Sequence, residues 1–137
     1  MSDSNIALAK RLYTLFGQGD IPGVLALFDP AIEWREAEGN PYQPDGAPWI
    51  GPDAVLTKLF MRIGADWDGF TVIPQTFTAT EHGVLVEGRY TGTYKSSARA
   101  LDVQMAHVLT MGGGHITRFQ QYVDTATLQA VMTPAAS

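Results

Sequence analysis

The order of its elements predicts an α+β domain. Three helical stretches come first, and long stretches of strand character joined by tight turns follow. At 137 residues, with 45% apolar and 17% charged side chains, the chain fits one globular domain, residues 1–137, large enough to bury a core without staples.

The first helix is expected from Ser4 to Phe16. Leu8, Leu12, Leu15 and Phe16 recur at helical spacing, Asp3 or Ser4 caps the start, and Gly17 and Gly19 stop it. The second starts at Asp20 with Pro22 in its first turn. Ile21, Val24, Leu25 and Phe28 form its stripe, and Asp29-Pro30 ends it because proline disfavours helix at the preceding residue. A short strand, Ile32 to Glu36, leads into a Gly- and Pro-rich loop from Gly39 to Pro48, in and beside which Tyr42 and Trp49 stand out. The third helix opens at Gly51-Pro52-Asp53, buries Leu56, Leu59, Phe60 and Ile63, and ends at Gly64.

The remainder reads as strand. Phe70 to Thr80 contains Pro74, which marks a bulge or an edge. Glu81-His82-Gly83 turns into Val84 to Tyr94, and Lys95 to Arg99 is a polar connection. Leu101 to Met111 returns, Gly112-Gly113-Gly114 turns, and His115 to Val123 completes the sheet. Asp124 caps a short terminal helix. The strand from Leu101 is largely apolar on both faces. One face carries Gln104, Ala106 and Val108, the other Val103, Met105, His107 and Leu109. One helical layer covers one face, so the other is expected to meet a second copy in a homodimer.

Composition narrows the function. A net charge of −5 argues against non-specific nucleic-acid binding. The absence of cysteine removes thiolate chemistry and disulfides. No apolar window reaches membrane-span length and no signal pattern opens the chain, so the expected location is cytoplasmic, with no membrane partner. No histidine pair with a carboxylate has metal-ligand spacing, and the three glycines join two strands without opening a helix, so neither metal nor cofactor is expected.

Several local stretches resemble a known family. Phe28-Asp29-Pro30-Ala31-Ile32-Glu33-Trp34, Ala106-His107-Val108-Leu109-Thr110, Ile116-Thr117-Arg118-Phe119 and Gln121-Tyr122-Val123-Asp124-Thr125 are similar to SnoaL-like and ketosteroid isomerase-related proteins of the nuclear transport factor 2-like superfamily. The resemblance implies a cone-shaped, cystatin-like fold with helices packed on a curved, mostly antiparallel sheet around one small-molecule pocket. It does not imply one reaction, because the fold hosts several. The tyrosine of ketosteroid isomerase corresponds to Tyr13, but its base falls on Arg35 and its protonated aspartate on Ala106. The five catalytic positions of limonene epoxide hydrolase fall on Gly88, Tyr90, Gln121, Trp34 and Glu36, none retained in kind. The acid of SnoaL-like cyclases falls near Gln121, which cannot donate a catalytic proton.

Strand parity predicts which side chains face the pocket: Trp34 and Glu36; Val86, Gly88 and Tyr90; Gln104, Ala106 and Val108; Phe119 and Gln121. Tyr13, Phe16 and Phe60 are added from the helices, with Tyr42 and Trp49 as a lid. His107 is placed on the outer face, and His82 and His115 beside turns. Glu36 is the one carboxylate of the inward set, so burial should raise its pKa. It is either a proton-transfer group, with Tyr90 or Tyr13 donating to a ligand oxygen and Gln104 and Gln121 orienting it, or an acceptor for Trp49 or Tyr42 that pins the loop. Two functions follow: a protein that binds a small apolar molecule without turnover, or a cofactor-independent isomerase, cyclase or hydrolase acting on a small apolar carbonyl compound through Glu36. A dimeric interaction module is a third.

Overall fold

The computed structural model describes residues 2–133. Helix α1 (Ser2–Gly17) and the short α2 (Ile21–Ala26) precede β1 (Phe28–Arg35) and β2 (Trp49–Ile50). A continuous helical stretch follows, made of α3 (Pro52–Val55), a π-helical turn (Leu56–Phe60) and α4 (Met61–Asp66). Then come β3 (Trp67–Ala79), β4 (Gly83–Tyr94), β5 (Arg99–Gly112), β6 (His115–Val123) and α5 (Thr125–Met132). The six strands form one sheet in the order β2-β1-β6-β5-β4-β3, with β1 parallel to β6 and the other pairs antiparallel. Helix α1 packs across β3 and β4, α3 against β1, and α5 against β5. This is the α+β fold expected from the sequence.

Two boundaries differ from expectation. Asp20 caps α2 by accepting from the Gly23 N–H at 2.9 Å, but the helix stops at Ala26, and Phe28, Asp29 and Pro30 belong to β1. Proline is tolerated there because β1–β6 pairing is interrupted between Phe28 and Glu33, so its missing N–H falls in a gap of the ladder. The third helix runs past Gly64 to Asp66, where the Asp66 carbonyl accepts from the Lys95 N–H at 2.9 Å. Tertiary contacts outweigh the modest helix cost of one glycine.

A third difference alters the site. The β4–β5 ladder is unbroken, pairing Val86 with His107 and Tyr90 with Val103. The β5–β6 ladder is not: Met111 pairs with Ile116, but Thr110 pairs with Arg118, leaving Thr117 as an extra residue. The Thr117 hydroxyl donates to the Thr110 carbonyl at 3.2 Å across this bulge. A one-residue slip exchanges the faces of everything beyond it. Without the bulge, Phe119 and Gln121 would sit opposite Val108 and Ala106. With it they sit opposite Leu109 and His107. The inner face of β5 is therefore Leu101, Val103, Met105, His107 and Leu109, all buried. Gln104 is exposed on the outer face, beside half-buried Ala106 and Val108.

Gly88 marks a second constraint. Pairing of β3 with β4 shifts between Pro74 and Thr76 on the edge strand, and a Cβ on Gly88 would stand 2.1 Å from the Ile73 carbonyl oxygen. That neighbour is backbone and cannot rotate away. Gly88→Ala is expected to lower stability by about 2 kcal/mol in chemical denaturation, as overpacking does. A change below about 0.5 kcal/mol would show that the two strands are not held this closely.

Candidate functional site: a buried tyrosine–histidine–glutamine cavity

Between the helices and the inner sheet face lies a cavity of about 60 Å³. Leu12, Tyr13 and Phe16 of α1, Leu59 and Phe60 of the π turn, and Ile63 of α4 form its helical side. Phe70 and Val72 of β3 and Tyr90 of β4 form one side wall. Trp34, Phe119, His107 and Gln121 form the rest of the floor, with Glu36 just past the end of β1. Trp34 and Phe119, paired across β1 and β6, stack with ring centres 3.7 Å apart and planes 3° from parallel. The π turn presents both Leu59 and Phe60 to the cavity, a common setting for such turns.

A chain of polar groups crosses this apolar space. Gln121 is held first. Its amide oxygen accepts from the Asn40 side chain at 3.0 Å and from the Ala37 N–H at 3.3 Å. Its amide nitrogen therefore faces Tyr90 and donates to the phenol oxygen at 3.0 Å. Tyr90 contacts His107 Nε2, and the Tyr13 hydroxyl lies 2.7 Å from His107 Nδ1. Burial pushes His107 down to about 3, so the imidazole is neutral and has one donor and one acceptor nitrogen. Burial raises both tyrosines, and the Glu36 carboxylate adds to the effect at Tyr90.

Glu36 is only 6% exposed. Its N–H donates to Gln43 Oε1 at 3.0 Å, and the Gln43 amide donates to the Trp34 carbonyl at 3.3 Å, which fixes the chain where β1 ends. Its Oε2 and the Trp34 indole nitrogen are both buried without a hydrogen-bond partner. Burial raises the carboxyl to about 8, and the nearby Trp34 indole lowers it by a smaller amount, although no well-formed hydrogen bond joins the two.

Of the residues predicted to form the site, Glu36, Tyr90, Trp34, Tyr13, Phe60, Phe119 and Gln121 line this cavity. Gln104 does not, because the unbroken β4–β5 ladder places it beside Arg89 on the outer face. Tyr42 and Trp49 do not form a lid. The Tyr42 hydroxyl donates to Asp66 at 2.8 Å and accepts from the Trp67 indole at 3.1 Å, while Arg62 covers its ring at 4.5 Å. Trp49 is buried in the β1–β2 pair opposite Trp34. Neither hydrogen-bonds to Glu36; Asn40 and Gln43 tie the loop down instead. Sequence reasoning missed His107, Asn40 and Gln43. Alternation along β5 had separated His107 from its neighbours, and polar loop residues carry no periodic signal. Among the described residues no three His, Asp or Glu side chains gather as a metal site, and no helix is long and apolar enough to cross a membrane.

The two shifted groups make opposite demands on stability. Between its ordinary 4.5 and its folded value of about 8, Glu36 holds a proton only in the folded chain, so its contribution falls as pH rises. Between about 3 and the ordinary 6.5, His107 is protonated only in the unfolded chain, so its contribution rises with pH. The slopes, each at most about 1.4 kcal/mol per pH unit, oppose one another from about 4.5 to 6.5. A stability plateau is expected there, with a fall on either side. Denaturation of Glu36→Gln across pH should lose the alkaline limb and keep the acid limb. An alkaline limb that persists would remove Glu36 as its source.

Solved structures share this architecture. A nuclear transport factor 2-like protein from Burkholderia thailandensis is 28% identical, with a TM-score of 0.88 over 95% of this chain and 98% of that one. A second from Burkholderia pseudomallei is 23% identical, with a TM-score of 0.85 over 95% and 98%. A protein of ketosteroid isomerase-like fold from Catenulispora acidiphila, in complex with trimethylamine, is 18% identical, with a TM-score of 0.74 over 90% of each chain. No curated protein matches the sequence. The family model of the SnoaL-like domain matches residues 9–119, most of the helical layer and the sheet through Phe119, and the chain therefore belongs to the SnoaL-like family of the nuclear transport factor 2-like superfamily.

Proposed function

We propose that the protein binds one compact, mostly apolar molecule through a single carbonyl or similar acceptor oxygen. The observation that carries this reading is the pair of buried polar atoms without partners, Trp34 Nε1 and Glu36 Oε2, in residues that line a mostly apolar cavity. Each such group costs about 1–3 kcal/mol when left unsatisfied. The indole is a donor only, and a carboxyl that titrates at about 8 keeps its proton at neutral pH, so it donates too. Two donors suit an acceptor oxygen and disfavour an ammonium group. The volume of about 60 Å³ accepts a few water molecules; a six-membered ring needs more room, and the half-buried Phe16 and Phe60 are the side chains placed to give it.

Cyclohexanone and cyclohexylamine, compared by titration calorimetry, test this. Saturable binding of the ketone is expected, weakening as pH rises through 8 and Glu36 loses its hydrogen. Glu36→Gln keeps a donor and should bind without that pH dependence; Glu36→Leu should bind about tenfold more weakly. A preference for the amine would contradict the reading.

The Glu36 value also favours a second reading, proton transfer next to the carbonyl, since a base titrating near neutrality is suited to it. The carboxylate would take the α-hydrogen while donors hold the enolate oxygen. Exchange of the ketone's α-hydrogens for deuterium, followed by NMR, should then be at least about 100-fold slower in Glu36→Gln at unchanged affinity. Exchange at the uncatalysed rate in the wild type would leave binding alone.

A further inference from the structure

Among the described residues four large apolar side chains stand exposed, and three of them, Ile50, Ile73 and Tyr122, lie on the outer face of the sheet. Ile50 is paired with Glu33, Ile73 with Arg89 and Tyr122 with Ala106, all of them outward-facing positions. Between them the half-buried Leu85, Ala106 and Val108 form a small apolar centre, with Val108 opposite Leu85 and Ala106 opposite Glu87. Two hollows of about 420 and 150 Å³ flank Gln120 and Tyr122 on this face. Apolar side chains gathered on one open face mark an interaction surface.

The charges of the face divide into two corners. At the β1–β6 corner Glu33 takes both Arg35, at 3.2 Å, and Arg118, at 3.6 Å, so two guanidinium groups share one carboxylate. Glu38 belongs to the loop past the end of β1. At the β4–β5 corner Arg89 is matched by Asp102 at 2.7 Å, and Glu87 is left with only the Thr76 hydroxyl at 3.4 Å. Farther along, Asp68 and Lys95 balance each other at 4.0 Å. One corner therefore has a cation to spare and the other an anion. A face with one surplus of each sign is complementary to itself.

We propose that the outer face binds a second copy of the chain about a two-fold axis, with the β1–β6 corner of each copy set against the β4–β5 corner of the other. In a two-fold pair each contact is made twice, so the surplus guanidinium meets Glu87 at both ends of the interface. The axis lies in the plane of contact, midway between the corners. Tyr122 stands on it: Glu87 is two strands away, about 10 Å, and Arg35 and Arg118 are about 8 and 13 Å away by the same sheet spacings. Tyr122 thus faces its own counterpart, and Ala106 and Val108 are covered beside it. The pairing does not depend on what the inner cavity binds.

Sedimentation of the full-length chain tests this. A species of twice the 14.9 kDa chain mass is expected. Arg118→Glu sets acid against acid, and Glu87→Arg sets base against base. Each should raise the dimer dissociation constant at least about 100-fold. Mixed one to one, the two variants regain attraction at both corners and should sediment as a heterodimer, a rescue that two misfolded variants could not give. The chain has no cysteine, so Tyr122→Cys carries a single thiol and should form a disulfide-linked dimer on mild oxidation. Met61→Cys, exposed on α4, should not. A monomeric wild type, a dimer indifferent to both charge reversals, no rescue on mixing, or Tyr122→Cys that links no better than Met61→Cys overturns the proposal.

Discussion

The extra residue at Thr117 governs the interior of this molecule. Because it sits between the glycine turn and the paired halves of β5 and β6, it sets which residues of β6 share the helix-facing side of β5. It places Gln121 opposite His107, which stands between Tyr13 and Tyr90. The β4–β5 ladder sends Gln104 to solvent opposite Arg89, whose ion pair with Asp102 lies on the same outer face. Without the slip Gln121 would sit opposite Ala106 and away from His107, and the polar chain would not assemble.

A buried polar chain is tolerable only when its members are satisfied. Here Asn40, Gln121, Tyr90, His107 and Tyr13 satisfy one another in sequence, from a loop after β1 to the first helix. The chain rigidifies one side of the cavity at little net cost. Trp34 and Glu36 are the contrast: two polar groups at the same cavity, buried without partners. Their penalty is borne by the packing around them, notably the Trp34–Phe119 stack and the aliphatic core of the sheet. A rigid, satisfied network beside an unsatisfied pair is the arrangement expected where a ligand completes the hydrogen bonding.

Much of this was legible in the sequence where alternation ran unbroken. β6 spans His115–Val123 as its pattern predicts, and Phe119 with Gln121, Val86 with Tyr90, and Trp34 each fall on the inner face. Glu36 stood out as the one inward acid, and it is as deeply buried as its aromatic neighbours imply. The inner face of β5 was harder to read because both of its faces are largely apolar, and nothing in the composition around Thr117 announces the bulge that sets Gln121 opposite His107. Tyr42 resembled a lid residue because its partners, Asp66 at the end of α4 and Trp67 at the start of β3, are more than twenty positions away. Asp29-Pro30 marked a real change of structure, but a strand accommodates it by interrupting its own pairing. The missed features are all non-local: a register, a distant acceptor, a gap in a ladder.

The proposed ligand preference depends on one protonation state. If Glu36 holds its proton at neutral pH, the cavity presents donors and selects an acceptor; if it is ionised, the same space repels one. Site-resolved ¹³C NMR of the Glu36 carboxyl during a pH titration measures this directly. A midpoint near 8 is predicted. A midpoint near the ordinary 4.5 would mean that the carboxyl is hydrated or paired, and the account of the cavity would be wrong.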